Sequence, residues 1–313
     1  MTRDFLSSIG LPPADLASLP TSEKRFPDGA QYRVEIPSTE GPRCLEAVLE
    51  EADALDVAVH RVSQGSGVFL LMDSELDAMA ALAAAERVEV SLFARPNAGW
   101  DVSAMARSPV GAVLAPAARG QEQVVQVLDD VRRAVAHGFR SVLIADLGVL
   151  SVFSEMRASG ELPPDMQAKV SVMLPVANPA TARVIEQLGA STVNLPTDLS
   201  LAQIAAIRAA VEVPLDVYVE SPDSLGGFVR LHEIPELIRI ASPVYLKFGL
   251  RNAPDVYPSG THLDTVNVAL SRERVRRARL GLELLERSGT AARTSQRGAD
   301  GLAVPLAGAV VER

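Results

Sequence analysis

The alternation of apolar and polar positions between residues 141 and 201 sets the pattern for most of the chain. Three short apolar runs alternate there with stretches of helical periodicity. The runs are Ser141–Asp146, Lys169–Pro175 and Thr192–Pro196. In the helical stretch Thr181–Leu188, apolar residues recur at helical spacing, and Gly189 follows where a helix commonly ends in a left-handed residue. Strands that alternate with helices in this way are parallel and are joined by right-handed crossovers.

The same alternation continues in both directions and predicts a (β/α)8 barrel of the TIM type. The other strand candidates are Tyr32–Pro37, Asp56–Val62, Val88–Arg95, Gly111–Pro116, Leu215–Glu220 and Val244–Phe248. The other helix candidates are Arg43–Leu55, Ser74–Arg87, Gln123–His137, Leu201–Val211 and Pro235–Ala241. Nine strands are one too many for such a barrel, and we take Gly111–Pro116 as the surplus one. A doubly wound sheet is the competing architecture, but no glycine-rich nucleotide motif follows the first strand, where the chain reads VEIPSTEG.

Segments of different composition flank the predicted barrel and suggest the domain organisation. Residues 1–30 are polar and rich in proline, and we expect an N-terminal arm there. Residues 31–287 form the barrel, and residues 288–313 are expected to be a flexible tail. Arg272–Arg287 is a charged amphipathic helix that can either close the barrel or join two subunits as a homo-oligomer contact.

Composition excludes several classes of protein. A formal net charge of −9 argues against a broad nucleic-acid surface, although a local cationic pocket for an anion remains open. Cys44 is the only cysteine, so the chain cannot form an internal disulfide, a cysteine zinc site or a cysteine-ligated iron–sulfur cluster. No apolar run approaches the ~20 residues of a membrane span, and the N-terminus lacks the apolar core of a signal peptide. We therefore expect a cytoplasmic protein that does not bind membranes.

Lysine is the unusual cation in this sequence. Of the 30 Lys and Arg residues, only Lys24, Lys169 and Lys247 are lysines.

Between residues 141 and 220 the chain resembles the peptidase U32 family. The resemblance is carried by ADLGVL after a strand, by VSVMLPVANPATARVIEQLGASTVNLPTDLSLAQI, and by the strand PLDVYVE. It extends more loosely back to Tyr32. The resemblance implies a TIM-barrel-like core, in agreement with the strand pattern.

The chain departs from that family at residues that carry chemistry. Glu220 and Ser221 stand where the family has a His-Gly at a strand end. The family's cysteine cluster is absent, and several U32-like hydroxylases hold an iron–sulfur cluster with such cysteines. The resemblance therefore transfers the fold and little of the reaction.

Strand alternation places an unusual number of polar side chains inside the barrel. The predicted lumen residues are Arg33, Glu35, Arg95, Asn194, Asp216, Tyr218, Glu220, Tyr245 and Lys247. Buried charges are costly unless they are paired or bind a ligand. Arg33 and Asp216 lie low in their strands and favour a structural ion-pair layer. Barrel enzymes place their active sites at the carboxyl ends of the strands, which makes four of the residues candidates for chemistry. These four are Glu35, Arg95, Glu220 and Lys247.

The candidate catalytic residues are Glu35, Glu220 and Lys247. A desolvated Lys247 near other cations would have a lowered pKa and could act as a base or a Schiff-base amine. Glu35 and Glu220 could form an acid/base pair, or they could be oxygen ligands for Mg2+ or Mn2+.

Five residues are expected to bind substrate. Arg95 suits a carboxylate or phosphate, and Asn194 and Tyr218 face the lumen beside it. His60 ends the second strand and is either structural or catalytic. His262 lies in the loop NAPDVYPSGTH after the last strand, which is either a lid or a plain surface loop.

Three functions are compatible with these residues. The first is an enzyme for a small anionic molecule, with lyase, isomerase or hydrolase chemistry. The second is a metal-assisted peptidase, as the family name implies, although no Ser/His/Asp set or HExxH motif is present. The third is a non-catalytic barrel subunit of a larger assembly, which a lumen closed by internal salt bridges would favour.

Overall fold

The computed structural model of the protein describes residues 2–16, 18–97 and 116–306. Its centre is a closed barrel of eight parallel strands that pair in chain order, with the eighth beside the first. The strands β1 to β8 are Tyr32–Pro37, Val59–Gln64, Glu89–Phe93, Ser141–Ile144, Gln167–Val170, Thr192–Asn194, Leu215–Glu220 and Val244–Phe248. The (β/α)8 fold predicted from the sequence is therefore confirmed.

A helix follows each strand and covers the outside of the barrel. The helices α1 to α9 are Thr2–Ser8, Pro42–Ala54, Asp73–Glu86, Gly120–Ala136, Leu147–Ser159, Pro179–Gln187, Leu201–Ala210, Ile234–Ala241 and Asp264–Arg287. Local sequence sets where they begin: Asp146 accepts the Val149 N–H at 2.9 Å before α5, and Ser200 with Gln203 forms a capping box at α7. The apolar outer faces of the strands pack against these helices and form the main core. Within the described ranges, none of the helices has the length and apolar character needed to cross a membrane.

The pairing of β1 with β2 contains an irregularity at His60. Val34 lies opposite Val59, whereas Glu35 lies opposite Arg61. His60 is therefore an extra residue, as in a β-bulge, and the alternation of side chains in β2 changes phase there.

A second irregularity interrupts the pairing of β7 with β8. Tyr218 lies opposite Lys247, and Glu220 lies opposite Phe248, so Val219 is the extra residue. Glu220 consequently shares the outward face of Phe248 and not the inward face of Tyr218.

The surplus strand candidate Gly111–Pro116 lies outside the described residues except for Pro116. The eight barrel strands are complete without it.

Helix α9 closes the barrel beside α2 and β8. A Cβ at Gly281 would lie 2.8 Å from atoms of both Ile234 and Phe248, so glycine permits close contact with the barrel. On the outer surface of the helix, charges pair within the helix, as between Arg279 and Glu283 at 3.3 Å. Barrel closure explains the amphipathic pattern of this helix, and a homo-oligomer contact through it stays a prediction.

The chain after α9 crosses the amino-terminal end of the barrel, and we call residues 290–306 the C-terminal strap. Ser295 Oγ accepts a hydrogen bond from Arg33 Nε at 2.8 Å, inside the lumen. Farther along the strap, the Ala303 N–H donates to Glu89 Oε2 at 3.3 Å. The strap thus contacts charged lumen residues of β1 and β3.

Of the tail expected at residues 288–313, the structure describes residues 288–306. Gly301 O accepts from Gln167 Nε2 at 3.1 Å, and the Leu306 N–H donates to Gly138 O at 2.9 Å. These backbone groups bond to the barrel end, and the flexibility of the tail stays a prediction.

Candidate functional site

Glu35 is the centre of a charged cluster inside the barrel. Its carboxylate accepts from Arg61 Nε at 2.8 Å and from Ser63 Oγ at 2.9 Å. Lys247 Nζ lies 3.3 Å away, and Lys169 Nζ makes a direct contact with Oε1. Burial acts to raise the pKa of Glu35, but Arg61, Lys169 and Lys247 hold it well below its usual range. Glu35 is therefore an ionised carboxylate shared by three basic side chains.

Two further carboxylates complete the cluster. Arg61 Nη2 lies 2.6 Å from Asp216 Oδ1, and Arg61 Nη1 lies 3.8 Å from Glu89 Oε1. Lys169 Nζ lies 3.6 Å from Asp216 Oδ2. We call this set the lumen network, and its members are Glu35, Arg61, Glu89, Lys169, Asp216 and Lys247. Three basic side chains face three carboxylates, so the network balances its formal charge when Lys169 is protonated.

The pKa values of the two lysines in the network are shifted in opposite directions, downward for Lys169 and upward for Lys247. Burial lowers the pKa of Lys169 to about 7, with contributions from Arg61 and Lys247 that outweigh the attraction of Glu35. A large fraction of this amine is therefore neutral near neutral pH. This is the property that a general base or a nucleophilic amine needs.

Lys247 is held in its charged form. Burial acts to lower its pKa, but Glu35 raises the pKa above the usual value. With the Asn194 amide turned to the orientation that satisfies both of its polar atoms, its oxygen accepts from Lys247 Nζ at 2.7 Å. The Tyr218 ring centroid lies 4.3 Å from the same nitrogen. The expectation of a lowered pKa at Lys247 is wrong, because its nearest partners stabilise the ammonium. The lowered pKa belongs to Lys169.

Glu220 does not share a site with Glu35. Its Oε1 accepts the Arg251 N–H at 2.9 Å, and its Oε2 lies 3.6 Å from Arg277 Nη1 on α9. Because the irregularity in β7 turns Glu220 outward, the two carboxylates face different partners. They are brought together neither as an acid/base pair nor as ligands of one Mg2+ or Mn2+ ion. In the part of the chain that the structure describes, no group of three or more His, Cys, Asp or Glu side chains could hold a metal ion.

Two arginines lie at the carboxyl-terminal mouth of the barrel. Arg95 follows β3, its Cζ lies 5.2 Å from the Phe93 ring centroid, and its Nη1 lies 3.5 Å from Gly65 O. Burial lowers the pKa of Arg95 to about 10, so it remains cationic at neutral pH. Arg274, a buried residue of α9, donates to Ser38 O at 3.1 Å where β1 ends. The mouth thus carries guanidinium groups suited to a carboxylate or phosphate.

The loop after β8 packs over this mouth. The hydroxyl of Tyr257 is hydrogen-bonded to the hydroxyl of Ser38. A Cβ at Gly65 would lie 2.6 Å from the Tyr257 ring, so this close approach requires glycine. The Ser259 N–H donates to Ser66 Oγ at 2.8 Å. The loop is therefore anchored to the segments after β1 and β2.

The two candidate histidines take different places. His60 is buried at the amino-terminal side of the barrel, where Nδ1 accepts from the Val34 N–H at 2.9 Å and Nε2 lies 2.8 Å from Ser295 O. Both ring nitrogens bond to backbone groups, which is a structural arrangement, and we leave His60 out of the candidate site. His262 is exposed in the short helix Thr261–Leu263 on the loop after β8.

A cavity of about 360 Å³ lies at the opposite, amino-terminal end of the barrel. Its lining includes Phe26, Arg33, Gln167, Thr192 and Tyr245. The Arg33 guanidinium lies 4.1 Å from the Phe26 ring centroid and donates to Tyr245 Oη at 3.2 Å. These contacts belong to the structural layer expected for Arg33.

Sequence reasoning missed Arg61 and Lys169 as lumen residues. Arg61 was hidden by the phase change at His60. Lys169 stood first in the predicted strand Lys169–Pro175, whereas β5 begins two residues earlier, at Gln167. The rarity of lysine in the chain was the signal that could have identified Lys169.

Comparison with known proteins identifies one matching family. The model of the family described as Peptidase family U32 matches residues 112–221, about a third of the chain. This match confirms the resemblance seen in the sequence over that segment. No curated protein matches the chain.

Three solved structures are similar to this chain at low sequence identity. A protein described as a U32 peptidase has 16% identity and a TM-score of 0.41, covering 76% of this chain and 98% of that one. A candidate lyase/mutase from Burkholderia cenocepacia has 15% identity and a TM-score of 0.45, covering 87% of each chain. A candidate fructose-1,6-biphosphate aldolase from Coccidioides immitis has 11% identity and a TM-score of 0.49, covering 83% of this chain and 94% of that one.

Proposed function

We propose that the chain is an enzyme that transfers protons on a small anionic molecule at the carboxyl-terminal mouth of the barrel. The proposal depends on one observation: two of the three lysines of the chain, Lys169 and Lys247, contact the same buried carboxylate, Glu35. The pKa of Lys169 is lowered and the pKa of Lys247 is raised.

The two amines suit complementary roles. Lys169 accepts a proton from substrate carbon or oxygen because its neutral form is accessible. Lys247 remains an ammonium and stabilises negative charge that develops as the proton leaves. This division favours lyase or isomerase chemistry over hydrolysis, which would need a nucleophile set or an activated water.

The mouth supplies recognition of the anion. Arg95 and Arg274 present guanidinium groups there, and guanidinium binds carboxylate and phosphate through paired hydrogen bonds. A divalent ion is not part of the proposal, since Glu35 already bonds to three cations and Glu220 faces Arg251. The single cysteine fits a cytoplasmic setting for this activity.

The test follows the consumption of metabolites. The purified protein is incubated with the small-molecule fraction of a cell extract, and mass spectrometry records which compounds change with time. We expect Lys169→Met and Lys247→Met each to abolish the change, and Lys24→Met, on the outside of the barrel, to leave it intact. Melting temperatures of all variants identify any loss that comes from unfolding. Full turnover in both lumen variants would refute the proposal.

A non-catalytic barrel subunit is the second candidate, favoured by one specific observation. The lumen network balances its own charges, and Arg61 alone contacts three carboxylates. Such a network is stable without a ligand. If no metabolite changes and a partner protein copurifies in stoichiometric amount, the scaffold function replaces the enzymatic one.

A further inference from the structure

We propose that Lys169 is a nucleophilic amine that forms an imine with a small aldehyde or ketone carrying an acid group. This inference rests on the proposed function, but the neutral amine that would accept a proton there bonds instead to the substrate carbon. The substrate class is a carbonyl compound such as a 2-oxo acid.

The position of Lys169 supports a reactive role. Its side chain is 1% exposed, and its Nζ contacts Glu35 Oε1 and lies 3.6 Å from Asp216 Oδ2. Arg61 and Lys247 bond to the same Glu35 carboxylate. Burial and the neighbouring Arg61 drive this amine toward its neutral form, against the attraction of Glu35, and the neutral amine is the nucleophile.

Amino-acid usage provides an independent observation. The chain contains 30 basic residues other than histidine, of which three are lysines, and two of those three lie in the lumen network. Arg61 lies in the same network, fully buried, so the lumen accommodates a guanidinium. A guanidinium stays protonated and cannot attack a carbonyl carbon, whereas a primary amine can. The choice of lysine at position 169 fits a role that arginine cannot perform.

The proposed step is balanced without an oxidant or reductant. The Lys169 nitrogen lone pair attacks the carbonyl carbon, and the C=O π electrons move to oxygen, which Lys247 stabilises as a charged ammonium. Glu35 carries a proton from the nitrogen to this oxygen. A proton from the Lys247 ammonium lets the carbinolamine hydroxyl leave as water while the C=N bond forms, and the proton on the iminium nitrogen then returns to Lys247. The net change is carbonyl plus amine to imine plus water.

Lys247 is the weaker nucleophile of the pair. Its Nζ lies 4.3 Å from the Tyr218 ring centroid and donates to the oxygen of the reoriented Asn194 amide at 2.7 Å, and both groups stabilise its charged form. We therefore assign the bond to Lys169 and the electrostatic role to Lys247.

Reductive trapping tests the inference on the full chain. The protein is incubated with glyoxylate or pyruvate and sodium cyanoborohydride between pH 6 and 9, and peptide mass spectrometry locates the stable secondary amine. At pH 7 we expect at least about tenfold more adduct on Lys169 than on Lys24, which serves as the control within the same molecule. Lys169→Arg should remove this adduct, and Lys24→Arg should leave it.

The outcomes separate this inference from the proposed function. Adduct on Lys24 without adduct on Lys169, or no adduct with either probe, overturns imine formation. If metabolite turnover still depends on both lumen lysines in that case, the proposed proton transfer is supported and imine formation is rejected. If adduct forms on Lys169 but no metabolite changes, the amine is reactive and the proposed turnover fails.

Discussion

The amine of Lys169 on β5 contacts the carboxylate of Glu35 on β1, directly across the closed barrel. In a ring of eight strands the first and the fifth stand opposite each other, so this contact spans the lumen. Neighbouring strands add Arg61 and Lys247 to the same carboxylate. The charge of Glu35 is therefore central to both the chemistry and the stability of the barrel interior.

Neutralising Glu35 should destabilise the fold strongly. Glu35→Gln leaves the buried cations Arg61 and Lys247 and the partly protonated Lys169 around an uncharged amide, and loss of one partner of a buried ion pair costs about 3–5 kcal/mol. Glu50→Gln is a matched control, since Glu50 pairs with Arg272 on the surface, where the cost is about 0–1 kcal/mol. Urea unfolding at neutral pH measures both. Equal, small losses in the two variants would mean that the lumen network is hydrated.

Because the chain contains only three lysines, an NMR spectrum of their side-chain nitrogens has few signals, and the protonation of Lys169 can be measured directly. In protein labelled with 15N-lysine, the Nζ signals are assigned with single Lys→Arg variants. We expect Lys169 to titrate with a pKa of about 7, and Lys247 to remain protonated through that range. A fully protonated Lys169 at pH 9 would contradict the expected lowering of its pKa.

The same shift has a consequence for stability. The pKa of Lys169 is lower in the folded protein than its usual value of about 10.4. The unfolded chain therefore binds more protons between about pH 7 and pH 10, and the contribution of Lys169 to unfolding free energy rises with pH over that window. Lys169→Met should remove this rise, and Lys24→Met should keep it.

His60 should weaken the fold in acid. Burial lowers its pKa to about 4, below the usual value near 6.5. The unfolded chain therefore takes up a proton between these two values that the folded protein does not, and stability falls as pH drops from 6.5 toward 4. His60→Gln should show a shallower decline than the parent protein, and the exposed His262→Gln should retain the full slope. Denaturant unfolding at a series of pH values compares the three proteins.

Asp130 on α4 provides a case of opposite sign. Burial raises its pKa to about 6, so the folded protein binds a proton more tightly than the unfolded chain. Stability therefore falls as pH rises from about 4 through 6. Asp130→Asn should raise the melting temperature at pH 7.5 and leave it nearly unchanged at pH 4. Glu155→Gln, an exposed change on α5, should alter neither.

Most of the barrel could be predicted from sequence because its strands alternate regularly and its helices end at recognisable residues. β1, β7 and β8 begin and end as predicted. The inward placement of Glu35, Tyr218 and Lys247 follows from simple alternation, and the structure confirms it. Where the alternation is regular, the face on which a side chain lies can be predicted from its own strand, without knowledge of the neighbouring strands.

The errors in predicting which strand residues face the lumen occur where the two-residue alternation of side chains is interrupted. One extra residue at His60 brings Arg61 into the lumen, and another at Val219 turns Glu220 out of it. A β-bulge is defined by the partner strand, and a single strand's sequence does not reveal it. Alternation counted along the chain therefore fails on the far side of each bulge.

The pKa order of the two lumen lysines was also beyond sequence reasoning. Lys169 and Lys247 are the same residue type and are both buried. Besides burial, the difference depends on Arg61, which lowers the pKa of Lys169 more than Glu35 raises it, whereas at Lys247 the effect of Glu35 exceeds that of Arg61.

The C-terminal strap has a consequence for the order of events during synthesis. A ribosome makes all eight strands before it makes Ser295 and Ala303, the residues that bond to Arg33 and Glu89. A nascent barrel can close its sheet, but Arg33 and Glu89 gain these hydrogen bonds only after Ser295 and Ala303 have been synthesised. These hydrogen bonds thus form only in chains that include the strap. A chain halted before residue 295 has all eight strands but lacks the strap partners of Arg33 and Glu89.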